Sequence, residues 1–302
     1  MHRIPHAGVL LIVMTVAGFG ACHPGGREAS SLLQLCEAGD AVACNDVAIR
    51  LLHGEYVLRD EARASELFDR ACEAGVAEGC VRLGTMHHDG RAVEEDHALA
   101  IALYRRGCEG GAMDGCTRLG ALYRAGDGLP EDDSSAAALF QQACDGGLPD
   151  GCAQVGALYA SGEGVTRDVA RAAVLLDLAC AGESALGCAE LGRLYAAGAG
   201  VPQDVDRALA LYEQACEEDA PAACLELGRL HATGLGAEQD FGRAATLYRR
   251  ACNGRDGAGC YELGMLYQNG AGVSRRPERA ESLFRQACDL GHTPACTAEA
   301  GS

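Results

Sequence analysis

No lysine occurs among the 302 residues, so all 25 basic side chains are arginine. Serine β-lactamase chemistry needs a lysine in S-x-x-K and K-T-G to assist proton transfer and hold substrate, and that machinery is excluded. The nucleophile elbow G-x-S-x-G is missing as well. Positive charge is scarce: 43 Asp and Glu outweigh the arginines and give a formal net charge of −18. So acidic a chain is repelled by phosphate backbones and anionic lipid, which sets nucleic acid aside as a partner. Long hydrophobic runs are lacking too, since the largely apolar stretch from Ala7 to Phe19 is too short to span a bilayer comfortably. Thiolate zinc sites use C-x2-4-C with further ligands nearby, a spacing these cysteines do not show, so no metal or other cofactor is expected.

Cysteine itself is abundant, at 17. Sixteen fall into pairs with seven residues between them: Cys36/Cys44, Cys72/Cys80, Cys108/Cys116, Cys144/Cys152, Cys180/Cys188, Cys216/Cys224, Cys252/Cys260 and Cys288/Cys296. The pairs recur every 36 residues without a slip. A fixed internal period overrides the length prior of two ordinary domains and points to one array of stacked units. In an exported chain, cysteines in this number form a disulfide framework. The N-terminus points to export: Met1-His2-Arg3 leads into the apolar stretch and on to Gly20-Ala21-Cys22. This segment resembles a bacterial lipoprotein signal, with Phe19 where leucine is customary. The resemblance implies a signal over residues 1–21, lipidated Cys22 as the membrane anchor, a linker over 22–30, and a repeat array over 31–302 in the periplasm or at the outer membrane. Setting Cys22 apart leaves the even number of thiols that eight pairs require.

Aligned on the second cysteine of each pair, the units read CAQVGALYASGEGVTRDVARAAVLLDLACAGESALG from 152 and CAELGRLYAAGAGVPQDVDRALALYEQACEEDAPAA from 188. Seven follow from Cys44 to Ala295 without insertion or deletion. In the first half of a unit, residues such as Leu119, Gly120, Leu122 and Tyr123 lie three and four apart, the stripe of an amphipathic helix, here helix A. It stops at a G-x-G such as Gly162-Glu163-Gly164, where glycine tolerates left-handed backbone. An Asp then recurs as Asp60, Asp96, Asp132, Asp168, Asp204 and Asp240 and serves as N-cap for a second helix, B. Two short helices cannot bury their apolar faces alone, so the hairpins stack on their neighbours. Gly84, Gly120, Gly156, Gly192, Gly228 and Gly264 sit inside helix A, where glycine costs about 1 kcal/mol against alanine; close helix contact is the expected compensation.

The pattern L-G-x-L-Y-x-x-G-x-G-V-x-x-D followed by A-x-x-L-Y-x-x-A-C resembles the Sel-one-like repeat, a relative of the tetratricopeptide repeat. With its cysteine pairs, the chain is similar to the exported cysteine-rich branch named for Helicobacter cysteine-rich proteins, over about residues 31 to 300. The resemblance implies an all-α, right-handed α/α solenoid of seven 36-residue hairpins with flanking half repeats, stapled by disulfides, with helix A lining the concave side. Two pairings suit an antiparallel hairpin: Cys44 with Cys72 inside it, or Cys44 with Cys36 across the short turn. Pairing inside hairpins orphans Cys36 and Cys296, whereas local pairing uses all sixteen, and the cysteine-rich relatives imply the local scheme. On that scheme CDGGLPDGC, from Cys144 to Cys152, reads as a stapled turn between helix B of one unit and helix A of the next.

No catalytic residue is identified. Some cysteine-rich relatives are described as penicillin-binding or β-lactam-hydrolysing proteins, which implies a β-lactam or peptidoglycan-like ligand as the alternative to a binding scaffold. His87-His88-Asp89 is the one cluster suggestive of a metal, but His87 stands where Tyr123, Tyr159, Tyr195 and Tyr267 stand in other units, as does His231, which reads as packing. The G-x-G segments follow helices and not strands, which removes a dinucleotide loop. Chemistry that changes from unit to unit is left to helix A. Arg82, Arg118 and Arg124 form a basic end suited to holding carboxylates, Ala153, Ala157 and Ala160 a small-residue middle, and Tyr261 and Met265 an apolar end. A protein or peptide ligand in that concave groove is the expected partner, with membrane contact through the lipid anchor only. Glu190/Arg193 and Glu226/Arg229 have the i,i+3 spacing of local surface pairs.

Overall fold

The computed structural model describes residues 24–298, which form helices and no strands. The described residues divide after Asp96 into two compact units. The first holds α1 (Pro24–Glu37), α2 (Ala41–His53), α3 (Glu61–Glu73) and α4 (Ala77–Asp89). The second holds α5 (His97–Glu109), α6 (Met113–Ala125), α7 (Asp133–Asp145), α8 (Pro149–Ser161), α9 (Val169–Ala181), α10 (Ala185–Ala197), α11 (Val205–Glu217), α12 (Pro221–Thr233), α13 (Phe241–Asn253), α14 (Gly257–Asn269), α15 (Pro277–Asp289) and α16 (Thr293–Ala298). Even-numbered helices are helix A and odd-numbered ones helix B. Within each unit, consecutive helices pack on one another in the manner of an α-solenoid.

Helix ends follow the local chemistry. Each helix A from α2 to α14 stops at a glycine in left-handed backbone, for example Gly162 at φ 87°, whose N–H donates to the Leu158 carbonyl. Helix B opens on an Asp side chain: Asp60 accepts from the Arg63 N–H, Asp168 from Arg171, Asp204 from Arg207 and Asp240 from Arg243, each at 2.9–3.0 Å. Asp132 accepts from the N–H groups of Ser134 and Ser135, and the Ser135 hydroxyl and N–H hold its carboxyl below the usual range. At α15 the cap position is Arg276, whose side chain caps nothing, and Pro277 begins the helix.

All eight local pairs are bonded, with Cα–Cα distances of 4.5–4.9 Å: Cys36–Cys44, Cys72–Cys80, Cys108–Cys116, Cys144–Cys152, Cys180–Cys188, Cys216–Cys224, Cys252–Cys260 and Cys288–Cys296. Each bridge closes the short turn between helix B of one unit and helix A of the next, as the reading of CDGGLPDGC expects, with both cysteines inside the flanking helices. The first is the penultimate residue of helix B, as Cys144 is in α7. The second does not open helix A but is its fourth residue: Cys44 in α2, Cys80 in α4, Cys116 in α6, Cys152 in α8, Cys188 in α10, Cys224 in α12, Cys260 in α14 and Cys296 in α16. The physical reason is the brevity of the connection. Only Gly146, Gly147 and Leu148 separate α7 from α8, so the helix begins a full turn before the cysteine that the unit was aligned on. The bridge thus ties the last turn of one hairpin to the first turn of the next. Arginine adds a second tie: the Arg70 guanidinium donates to the Cys36 carbonyl at 2.9 Å, and Arg250 does the same to Cys216.

The main core cluster of the second unit runs through Phe140, Leu158, Leu176, Leu191, Tyr212, Tyr248 and Phe284. Several helix-A glycines lie beneath side chains of helix B. A Cβ on Gly120 would stand 2.8 Å from the Phe140 ring, and one on Gly264 2.6 Å from the Phe284 ring. Ring-on-backbone packing is what offsets the propensity cost of these glycines. Helix α1 opens at Pro24, inside the stretch assigned to the 22–30 linker, and it is held there by buried Ala29 and a 3.4 Å ion pair from Glu28 to Arg50. The signal segment and Cys22 lie outside the described residues.

Candidate interaction surface

In the second unit, α8 packs on α10 and α12 on α14, so helix-A side chains line up across repeats. The positions one, five and eight residues after each second cysteine set the character of this face. In α8 they are Ala153, Ala157 and Ala160, and in α10, counted from Cys188, Ala189, Arg193 and Ala196. In α12, counted from Cys224, they are Leu225, Arg229 and Ala232, and in α14, counted from Cys260, Tyr261, Met265 and Gln268. The alanines of α8 are buried or half-buried and leave a low floor.

Charged rungs border it. Arg193 donates to Glu190 at 2.7 Å and Arg229 to Glu226 at 2.7 Å, both with i,i+3 spacing, and Arg229 also reaches Glu262 of α14 at 3.5 Å. Beneath these rungs lie two phenols from helix B. The Tyr212 ring covers Gly192, where a Cβ would stand 3.0 Å from it, and the Tyr248 ring covers Gly228. Burial first, then the Glu226 carboxylate, pushes the Tyr212 phenol up to about 12. Burial, then Glu262, raises Tyr248 as well. Both hydroxyls stay protonated at physiological pH beside a line of carboxylates.

The arginines marked by the sequence are drawn into local pairs. Arg118 donates from Nε to Asp114, one turn earlier on α6, at 2.9 Å. Burial works against the Arg118 charge, but the hydrogen bond and charge of Asp114 outweigh it and hold the guanidinium above its usual range. Arg124 reaches across to Glu163, in the connection after α8, at 3.3 Å. Arg82 belongs to α4 in the other unit, half-buried, with its Nε buried and without a hydrogen-bond partner. The free basic end expected from these residues is therefore partly neutralised by acids on the same surface. At the apolar end, Tyr261 packs 5.4 Å from the Phe284 ring and 5.1 Å from His292, and Met265 is half-buried against the same core. In the His87-His88-Asp89 run, His87 Nδ1 lies 3.1 Å from the Glu94 carbonyl and His88 Nδ1 3.1 Å from Asp89. His231 is 5% exposed, and neither ring nitrogen has a hydrogen-bond partner.

Sequence reasoning missed an arginine series on helix B. Arg171 lies over the Tyr159 ring at 4.2 Å and Arg207 over Tyr195 at 4.4 Å. Each also reaches the preceding helix B: Arg171 to Gln141 at 3.1 Å, Arg207 to Asp177 at 3.4 Å and Arg243 to Glu213 at 2.5 Å. The available signal was an arginine recurring at 171, 207, 243 and 279 in register with the repeat.

No described helix is long and apolar enough to cross a membrane. Among curated proteins, no sequence matches the chain. Solved structures similar to it include the following three. One is c5321, a protective antigen present in uropathogenic Escherichia coli strains displaying an SLR fold, at 25% identity and TM-score 0.68, covering 88% of this chain and 57% of that one. The chain thus spans less than two thirds of the length of that relative. A Sel1 repeat protein from Oxalobacter formigenes matches at 26% identity and TM-score 0.67, over 76% of this chain and 99% of that one. Helicobacter pylori cysteine rich protein B matches at 27% identity and TM-score 0.37, over 44% of this chain and 95% of that one. The Sel1 repeat model matches residues 41–76, 77–111, 114–148, 149–184, 185–219, 221–256 and 257–292, one match for each hairpin-length unit, and the chain belongs to the Sel1 repeat family.

Proposed function

We propose that this disulfide-rich Sel1 repeat scaffold holds a protein or peptide partner along the helix-A face of its second unit, from an exported position anchored through lipid on Cys22. One observation carries the reading. A constant frame of bridged helix ends and ring-covered glycines presents positions one, five and eight with chemistry that changes from alanine in α8 to arginine in α10 and α12 and to Tyr261 and Met265 in α14. A frame of this kind suits recognition, in which binding energy concentrates on a few aromatic and arginine anchors around a low floor. Eight disulfides suit an oxidising compartment. The test is photo-crosslinking in bacterial envelopes from a probe placed at Ala157, with a probe at Val174, a residue of α9 that is 70% exposed, as control. A discrete adduct from Ala157 that is absent from Val174 and is lost in a Tyr261→Ala/Met265→Ala background supports the reading. Equal labelling from both positions overturns it.

A further inference from the structure

Helix B carries charge that the helix-A reading does not use. In three successive steps an arginine meets an acceptor 30 residues earlier: Arg171 meets Gln141, Arg207 meets Asp177 and Arg243 meets Glu213. The same step taken once more matches Arg279 of α15 with Arg249 of α13, a base where the register places an acceptor. A second inversion lies beside it, because Arg276 holds the cap position that Asp168, Asp204 and Asp240 hold elsewhere. All three arginines are exposed. The Arg249 side chain donates to the Thr246 hydroxyl at 3.4 Å, Arg279 lies 5.5 Å from the Tyr267 ring, and none of the three forms an ion pair with a described residue. Other arginines on the surface of the same unit, among them Arg118, Arg193, Arg207 and Arg243, are paired with carboxylates.

We infer that the arginine face formed by Arg249, Arg276 and Arg279 on α13 and α15 is a docking surface for an acidic segment of a partner polypeptide. Its carboxylates take the acceptor role that Gln141, Asp177 and Glu213 play in the earlier steps, with the forked geometry that guanidinium offers a carboxylate. Overall charge favours a narrow partner. A bilayer or duplex meets the chain as a broad negative surface, and a protein of net charge −18 repels it, whereas a single acidic segment touches the arginine face alone.

The test uses the oxidised protein and a fluorescent oligoglutamate peptide, followed by anisotropy at low and physiological salt. Phosphatidylglycerol vesicles and sedimentation of the protein alone form parallel arms. The wild type binds the peptide and loses affinity as salt rises, while Arg249→Glu/Arg276→Glu/Arg279→Glu binds at least about tenfold more weakly with unchanged helicity. If the Glu triple loses helicity, the corresponding Gln triple is scored in its place. Arg105→Glu, at an exposed position of α5, retains wild-type binding. Equal peptide binding by wild type and triple variant overturns the inference. So does vesicle binding that the triple variant abolishes, which assigns the face to lipid, and so does self-association that it abolishes, which assigns the face to a second copy.

Discussion

Replacing Cys144 and Cys152 together by alanine removes one bridge from the middle of the second unit. The closed loop spans nine residues from Cys144 to Cys152, and loop-closure entropy for that length is worth about 2.5 kcal/mol. Both cysteines are buried, so alanine avoids stranding a hydroxyl in the core. The loss falls on the α7–α8 corner, and in a stack whose stability is a sum of nearest-neighbour interfaces it weakens the coupling between the repeats on either side. Urea unfolding of the oxidised double variant, followed by circular dichroism, should show a lower midpoint and a broadened or split transition. Hydrogen exchange should show amides of α7 and α8 opening at a free energy lower by about 2 kcal/mol. Replacing Cys288 and Cys296 releases only the six-residue α16, and it should leave exchange in α7 and α8 unchanged. The reasoning fails if the central double variant exchanges like wild type, or if the terminal one destabilises α7 and α8 equally.

Gly264→Ala gains about 1 kcal/mol of helix propensity but places a Cβ 2.6 Å from the Phe284 ring, so net destabilisation of about 1–2 kcal/mol is expected in urea titration. Asp168→Ala loses the cap on Arg171 and should cost about 1 kcal/mol, whereas Arg276→Asp supplies the cap that α15 lacks and should raise stability by roughly 0.5–1 kcal/mol. The Tyr212 phenol is favoured neutral in the fold, so its contribution to stability is present below the ordinary tyrosine value near 10 and is lost as pH rises toward about 12. Ultraviolet titration should show a late-ionising tyrosine that Tyr212→Phe removes. Cys22→Ser should abolish acyl labelling and shift the protein out of the membrane fraction; unchanged labelling refutes the anchor.

Much of this protein was legible along the chain. The 36-residue period, two helices per unit, the aspartate caps and the glycine stops are local features, and each is set by backbone chemistry within one turn. The Glu190/Arg193 and Glu226/Arg229 pairs were legible for the same reason, because helix geometry alone brings residues three apart onto one face. The cysteine spacing was legible too, but not that Cys80, Cys116, Cys188, Cys224 and Cys260 each stand one turn inside helix A, which depends on how tightly the three-residue corner closes. Contacts between repeats were not. Arg124 meets Glu163, and Arg243 meets Glu213, across 39 and 30 residues, and the sequence period does not state the rise and rotation that bring such side chains together. That geometry decided that the expected basic end on α6 is partly neutralised, that aromatic rings cover the helix-A glycines Gly120, Gly192, Gly228 and Gly264, and that arginines without acidic partners lie on α13 and α15. Local helix chemistry fixes what each repeat is, and the packing of one hairpin on the next decides which of its charges are still exposed and unpaired.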